Sequence, residues 1–232
     1  MNDTEPARVS PAAKPVIVRP RDAASLIVLR GSGRDLELLA GRRPGHMKFM
    51  PGVYVFPGGA IDREDARPWR VERGGAFPPR LLRCARAALR ETWEETGVLV
   101  GRREALPRAP GPALAGVEAA YAAAGLTAAI DLLTYVGRAI TPTPVFRRFN
   151  TRFFLADGDH VFGEPEANDE FEDVRWHPIG RRPLSPFRDV TQFMLARAVA
   201  LRDGTAAPDA PLFCSVRGAR RVLVCREAIR DL

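Results

Sequence analysis

Lysine is nearly absent from this chain: Lys14 and Lys48 are the only two among 35 basic residues, and the rest are arginine. Cysteine is also scarce. Cys84, Cys214 and Cys225 are widely separated with no C-x-x-C pair, which excludes a disulfide framework or a cysteine-based zinc site and fits a reducing compartment. No stretch approaches the ~20 apolar residues that cross a bilayer, and the N-terminus has no apolar run long enough for a signal peptide. A soluble, cytoplasmic chain without membrane association is therefore expected. His46, His160 and His177 are isolated, read as loop residues, and receive no catalytic role.

The formal net charge is +7. Arginine makes planar bidentate contacts to phosphate, which suits a polyanionic ligand. The basic residues are nevertheless scattered, without an uninterrupted tract, so a solvated arginine-rich surface is the simpler reading and nucleic acid is not the expected partner. With 232 residues and 46% hydrophobic content, the chain can bury the core of one elaborated domain. Pro6, Pro11, Pro15 and Pro20 mark residues 1–20 as a flexible N-terminal arm, leaving 21–232 as a single domain.

Within that domain, Ala23 to Arg30 reads as a buried strand, Gly31-Ser32-Gly33 as a turn, and Leu36 to Ala40 as the hairpin partner. Val53 to Phe56 forms a third strand running into the tight turn Pro57-Gly58-Gly59. Residues 63–79 lack a period and read as an inserted loop. A helix is expected from Pro79, suited to a first helical position, to Gly97, suited to the position just past the end. Val98 to Val100 continues as a strand. Residues 102–133 form an alanine-rich insertion with short helices at 117–124 and 128–133. Further strands are expected at 135–140, 149–155 and 170–176, a helix at 187–201 with Val190, Phe193, Met194, Arg197 and Leu201 at helical spacing, and a closing hairpin within 212–224.

The chemistry concentrates at Arg90-Glu91-Thr92-Trp93-Glu94-Glu95-Thr96-Gly97. Each helical residue advances about 100°, so Glu95 lies about 40° from Glu91 and Glu94 about 60° to its other side. Leu82, Leu89 and Trp93 fall opposite as the anchoring stripe, so the carboxylate face should be presented and not buried. Ala87 and Ala88 lie beneath that face, small enough to admit another backbone, for which Gly58-Gly59 is the candidate. Like charges within one turn repel, and one Arg90–Glu94 pair offsets only part of that. A hard cation such as Mg²⁺ or Mn²⁺ offsets more. A solvated acidic face is the other reading of a bare Glu-x-x-Glu-Glu.

These residues, with Val98 following, resemble the second half of the Nudix hydrolase signature, with Thr92 in place of an aliphatic residue. The first half departs: six positions after Gly59 stands Asp65 where glutamate is expected, and 24 residues instead of seven separate it from Arg90, which puts any role for Asp65 in doubt. The resemblance, covering about residues 21–202, implies an α/β fold, the Nudix α/β/α sandwich with a mixed β-sheet, here with helical insertions. It implies that Glu91, Glu94 and Glu95 bind metal with a backbone carbonyl from Gly59, and that Arg90 orients the carboxylates. It also implies a catalytic group in the acidic loop 164–172, where Glu170 is chosen because it is expected to begin a strand.

Leu38 to Arg43 and Gly52 to Gly59 partly resemble the extra motif of Nudix coenzyme A diphosphatases, although only Lys48 stands near its second arginine. Phe49 to Asp62, Ile140-Thr141-Pro142 and Phe149 to Phe154 are similar to the subgroup containing peroxisomal acyl-CoA diphosphatases. Arg230-Asp231-Leu232 is not a Ser-Lys-Leu-type address, which favours a cytoplasmic relative. The expected partner is thus a small-molecule diphosphate such as coenzyme A or an acyl-CoA, with Arg42, Arg43 and Gly58 binding it. ADP-ribose or a dinucleotide is the alternative, a non-catalytic nucleotide-binding module is a further one, and homodimerisation is left open. Cys84 lies on the carboxylate side of the helix as a packing residue.

Overall fold

Ala23 to Leu29 are all buried, which is why this segment reads as a continuous apolar run: β1 (Arg21–Arg30) is covered on both faces. The computed structural model describes residues 18–47, 50–104, 113–143, 145, 147–180, 187, 189–207, 209–216 and 219–225. Residues 1–17 of the expected N-terminal arm, Lys48, Phe49 and Arg230 to Leu232 lie outside the described residues.

After β1 the chain forms β2 (Glu37–Arg42), β3 (Tyr54–Val55), β4 (Gly58–Ala60), β5 (Glu72–Arg73), α1 (Pro79–Thr96), β6 (Leu99–Arg103), α2 (Gly116–Ala123) and β7 (Leu126–Ala129). It continues through β8 (Thr134–Ile140), β9 (Phe149–Asp157), β10 (Val161–Phe162), β11 (Asp173–Pro178), α3 (Asp189–Arg202), β12 (Ala210–Val216) and β13 (Ala219–Cys225). The main sheet has the order β11-β2-β1-β9-β8-β12-β13, with β3 on β2 and β4 on β1. It is mixed: β1 is parallel to β9 and β12 to β8, and its other pairs are antiparallel. One edge of β1 is shared, with Leu29 and Arg30 opposite β2 and Ala23 to Ser25 opposite β4. The turn expected at Gly58-Gly59 is therefore itself a strand, held against β1 close to α1.

Alternation along β1 builds a core on each face. Leu26 and Val28 pack with Leu39, Phe154 and the α1 residues Leu81, Ala85 and Ala88. Ile27 and Leu29 pack with Leu38, Phe153, Leu155 and the α3 residues Met194 and Ala198. Helices on both faces of a mixed sheet make the α/β arrangement anticipated from sequence. On α3, Thr191, Met194 and Ala198 are the buried residues, so the buried line is narrower and rotated from the expected one.

The two insertions meet. β5 from the first is parallel to β7 from the second, and together with β6 and β10 they form a small sheet of order β10-β6-β7-β5. Residues 63–79 are thus more than a loop, containing a 3₁₀ turn at Glu64–Ala66 and β5. The helix expected at 128–133 is instead the end of β7 and a 3₁₀ turn at Ile130–Leu132. Pairing with strands on both sides overrides the helix preference of its alanines. A buried ion pair ties the lobe to α1, with Arg86 donating to both carboxylate oxygens of Glu72 at 2.7 Å and to the Asp65 carbonyl at 3.2 Å.

Candidate active site

The expected helix boundaries hold: Pro79 opens α1, and Gly97 closes it in the left-handed region at φ 75°, its N–H donating to the Trp93 carbonyl. The orientation of the carboxylates departs from expectation. Glu95 is 3% exposed and Glu91 is mostly buried, while Glu94 alone, at 43%, is open to solvent. Leu82 and Trp93 are only half-buried, although Leu89 is buried as expected. The side of α1 bearing Cys84, Ala88, Glu91 and Glu95 faces inward because β4 and β1 lie beneath it, while the insertion lobe covers another side. Cys84 packs in the core as anticipated, its thiol donating to the Arg80 carbonyl and pushed up in pKa by burial.

Both glycines of β4 approach this face. A Cβ on Gly59 would lie 2.5 Å from the Glu91 carboxylate, so any side chain there would displace that carboxylate. The Gly58 N–H donates to Glu95 Oε2 at 2.7 Å, and Gly58 sits at φ 155° with the Ala24 carbonyl 2.4 Å from where a Cβ would stand. Gly58 thus contributes a main-chain donor to Glu95.

Asp65, whose role was in doubt, is 1% exposed and grips Arg90 with both oxygens, at 3.1 Å to Nε and 3.0 Å to Nη2. Arg90 Nη1 then donates to Glu91 Oε1 at 2.9 Å and Glu94 Oε2 at 2.7 Å, and Nη2 reaches the Ala60 carbonyl at 3.1 Å. The insertion between Asp65 and Arg90 departs and returns without separating the pair. Counting from Gly59 was the signal that located Asp65, and the length of the insertion obscured it.

Glu170 does not begin a strand, since β11 starts at Asp173; it is an exposed loop residue. Asn168, which sequence reasoning passed over, fixes that loop. Its amide donates to the Glu94 carbonyl at 3.0 Å, and its side-chain oxygen accepts the N–H groups of Glu170 at 2.9 Å and Phe171 at 3.0 Å. Phe171 is buried over Gly41, where a Cβ would meet its ring at 2.3 Å. Glu170 thereby borders the same cleft as Glu91 and Glu95.

That cleft, about 830 Å³, runs from these carboxylates across Gly58 and Gly59 to Thr151, Phe153 and the start of α3. Arg43 lines it, whereas Arg42 does not: its guanidinium pairs with Glu172 at 2.9 Å because strand alternation turns neighbours to opposite faces. His46 and His160 are loop or turn residues, but His177 is a buried β11 residue, its ring 4.5 Å from that of Tyr54, and burial lowers its pKa.

Among the described residues, no group of three or more His, Cys, Asp and Glu side chains is already gathered as a metal cage. The donors nevertheless suit a hard divalent cation. Burial pushes Glu91 up to about 7 against the pull of Arg90, and the charges of Glu94 and Glu170 add to the rise. Burial also raises Glu95 well above the usual range, helped by Glu91 and Glu170 and opposed by the Gly58 N–H. Oxygen ligands that resist ionisation for want of positive charge are what a divalent cation relieves.

Folded Glu91 keeps its proton up to about 7, whereas an unfolded glutamate releases it near 4.5. Stability from this group is present below about 4.5 and is lost as pH rises through about 7, by up to about 3 kcal/mol. Metal-free protein should therefore show a fall in denaturation midpoint between pH 5 and pH 8 that Glu91→Gln lessens. An equal fall in that variant would contradict the prediction.

A mixed sheet thus lies between helices, with a carboxylate-bearing helix docked on a glycine strand. No protein-family model matches the chain. A crystal structure of a Nudix hydrolase from Alicyclobacillus acidocaldarius is 31% identical, with a TM-score of 0.57, covering 81% of this chain and 97% of that one. The curated candidate nudix hydrolase 7 of Caenorhabditis elegans is 31% identical over 163 residues, 67% of this chain. The chain spans about half the length of that curated relative. The chain belongs to the Nudix hydrolase family.

Proposed function

We propose that this cleft hydrolyses the diphosphate bond of a nucleoside-diphosphate-linked small molecule, with coenzyme A or an acyl-CoA as the substrate. The observation that carries the reading is the Asp65–Arg90 clamp, which fixes Glu91 and Glu94 beside buried Glu95 at one end of an 830 Å³ cleft. Glu91, Glu94 and Glu95, with the main chain at Gly59, would hold Mg²⁺ or Mn²⁺. When bound, the cation supplies neutralisation of diphosphate charge and acidification of water. Glu170 has an exposed carboxylate on a loop fixed by Asn168, and takes the proton of the attacking water. Arg43 and the main chain of Gly58 flank the diphosphate along the cleft wall, and Arg42 supports the loop through Glu172.

For the substrate, support comes from the partial motif at 38–59 and from a cleft volume suited to an elongated ligand. A panel of CoA, acyl-CoA, ADP-ribose, NADH and dinucleoside polyphosphates with Mg²⁺ or Mn²⁺ tests it. Release of 3′,5′-ADP from a CoA species, faster than cleavage of the other compounds, is the expected outcome. No such release rejects the substrate, and no turnover of any member rejects the hydrolase reading.

A further inference from the structure

Several arginines gather where β1 and β9 begin, and one of them explains how the others are placed. Arg148 Nε donates to the Thr141 carbonyl at 3.0 Å, and its Nη1 donates to the Val18 carbonyl at 2.8 Å. Its own carbonyl accepts the Arg21 N–H at 2.9 Å. The segment entering β1 is thereby stapled to the segment entering β9. Alternation along the extended chain then puts Arg19 and Arg21 on the same side as Ala23 and Ser25, and all four line the cleft. Arg147 lines it from the β9 side.

Among the described residues, Arg19, Arg21 and Arg147 have no acidic partner. The neighbouring carboxylate, Asp22, is engaged by Arg152 and Asn150. One cleft is therefore lined by carboxylates at Glu91, Glu95 and Glu170 and, where β1 and β9 begin, by these guanidinium groups, while Asp189, which also lines it, pairs with Arg220. The strand register gives the main-chain spacing: Ala24 stands opposite Gly59, and the Arg21 backbone is three residues back along β1, about 10 Å at the rise of a strand.

We propose that Arg19, Arg21 and Arg147 form a second anion subsite, which takes a phosphate monoester carried on the substrate apart from the scissile diphosphate. A 3′-phosphorylated adenosine 5′-diphosphate group has this chemistry: the diphosphate sits by α1, and guanidinium groups hold the ribose phosphate. The assignment rests on the reading of the cleft as a diphosphate hydrolase site, and it adds what the far end recognises.

The test compares Arg21→Ala/Arg147→Ala with wild type and with Arg63→Ala/Arg67→Ala, which removes the same charge away from the cleft. Two ratios are read: kcat/KM for CoA over dephospho-CoA, and calorimetric affinity for 3′,5′-ADP over 5′-AMP. Wild type and the Arg63/Arg67 variant should favour the 3′-phosphorylated member by about tenfold or more, and the Arg21/Arg147 variant by less than about twofold. Absence of a wild-type preference, or equal ratios in all three proteins, overturns the subsite. Equal losses in the two variants also overturn it, because the effect would then belong to overall charge. If neither CoA species is hydrolysed, coenzyme A falls as the substrate while the calorimetric ratio still decides the subsite.

Discussion

Glu95→Gln is expected to lower turnover by at least about 10²-fold while leaving the fold intact. The amide keeps an oxygen where Glu95 Oε2 accepts the Gly58 N–H, so the tie between β4 and α1 is preserved. It also removes a carboxyl group that burial already disfavours as an anion, so metal-free stability should be equal or higher. What is lost is the ionised oxygen that a divalent cation requires. Glu94→Gln should show a comparable loss of turnover with little change in stability, because Glu94 is open to solvent and its amide oxygen can still accept from Arg90. Steady-state kinetics with saturating Mg²⁺ or Mn²⁺, alongside urea denaturation, separates the two effects. Near-wild-type turnover in both variants would sink the metal assignment.

The different environments of those two glutamates mark the limit of what the sequence disclosed. Angular spacing along one helix showed that Glu91, Glu94 and Glu95 lie on neighbouring faces, but solvent exposure depends on what packs there. Leu82 and Trp93 look like anchors by hydrophobicity, yet they are only half-buried. The inward side instead holds Ala88 and Glu95, because glycines at 58 and 59 let the chain of β4 come close. Small residues on two distant segments, Ala87-Ala88 and Gly58-Gly59, were the legible trace of that contact. Its consequence for carboxylate burial was not legible.

Local pattern located the long elements well. β1 has a buried apolar run, and α1 has a proline at its start and a left-handed glycine after its end. The helix expected at 128–133 did not form because the conformation there depends on β5, more than 50 residues earlier in the chain. Glu170 was assigned to a strand start, whereas the asparagine two residues before it makes the loop that positions it. The tie from Asn168 to α1 has no signal in a single sequence, since the Glu94 carbonyl it reaches lies in another element.

Arg90→Ala should be the most destabilising single change at this site, by about 3–5 kcal/mol, because it leaves a buried carboxylate without its counter-charge. Asp65 is 1% exposed, and without Arg90 it retains, among the described residues, the Asp62 N–H at 2.7 Å. Asp65→Asn with Arg90 kept should be milder, since the amide oxygen can still accept from the guanidinium. Combining Asp65→Ala with Arg90→Ala should recover part of the lost stability, for the unpaired anion is then gone. Turnover should not recover with it, because Glu91 and Glu94 both depend on Arg90 Nη1 for their placement. Urea midpoints for the single and double variants measure the first effect, and kcat in the same proteins measures the second. Strictly additive stability losses would show that the pair is not coupled. Restored kcat in the double variant would show that Arg90 stabilises α1 without orienting its carboxylates.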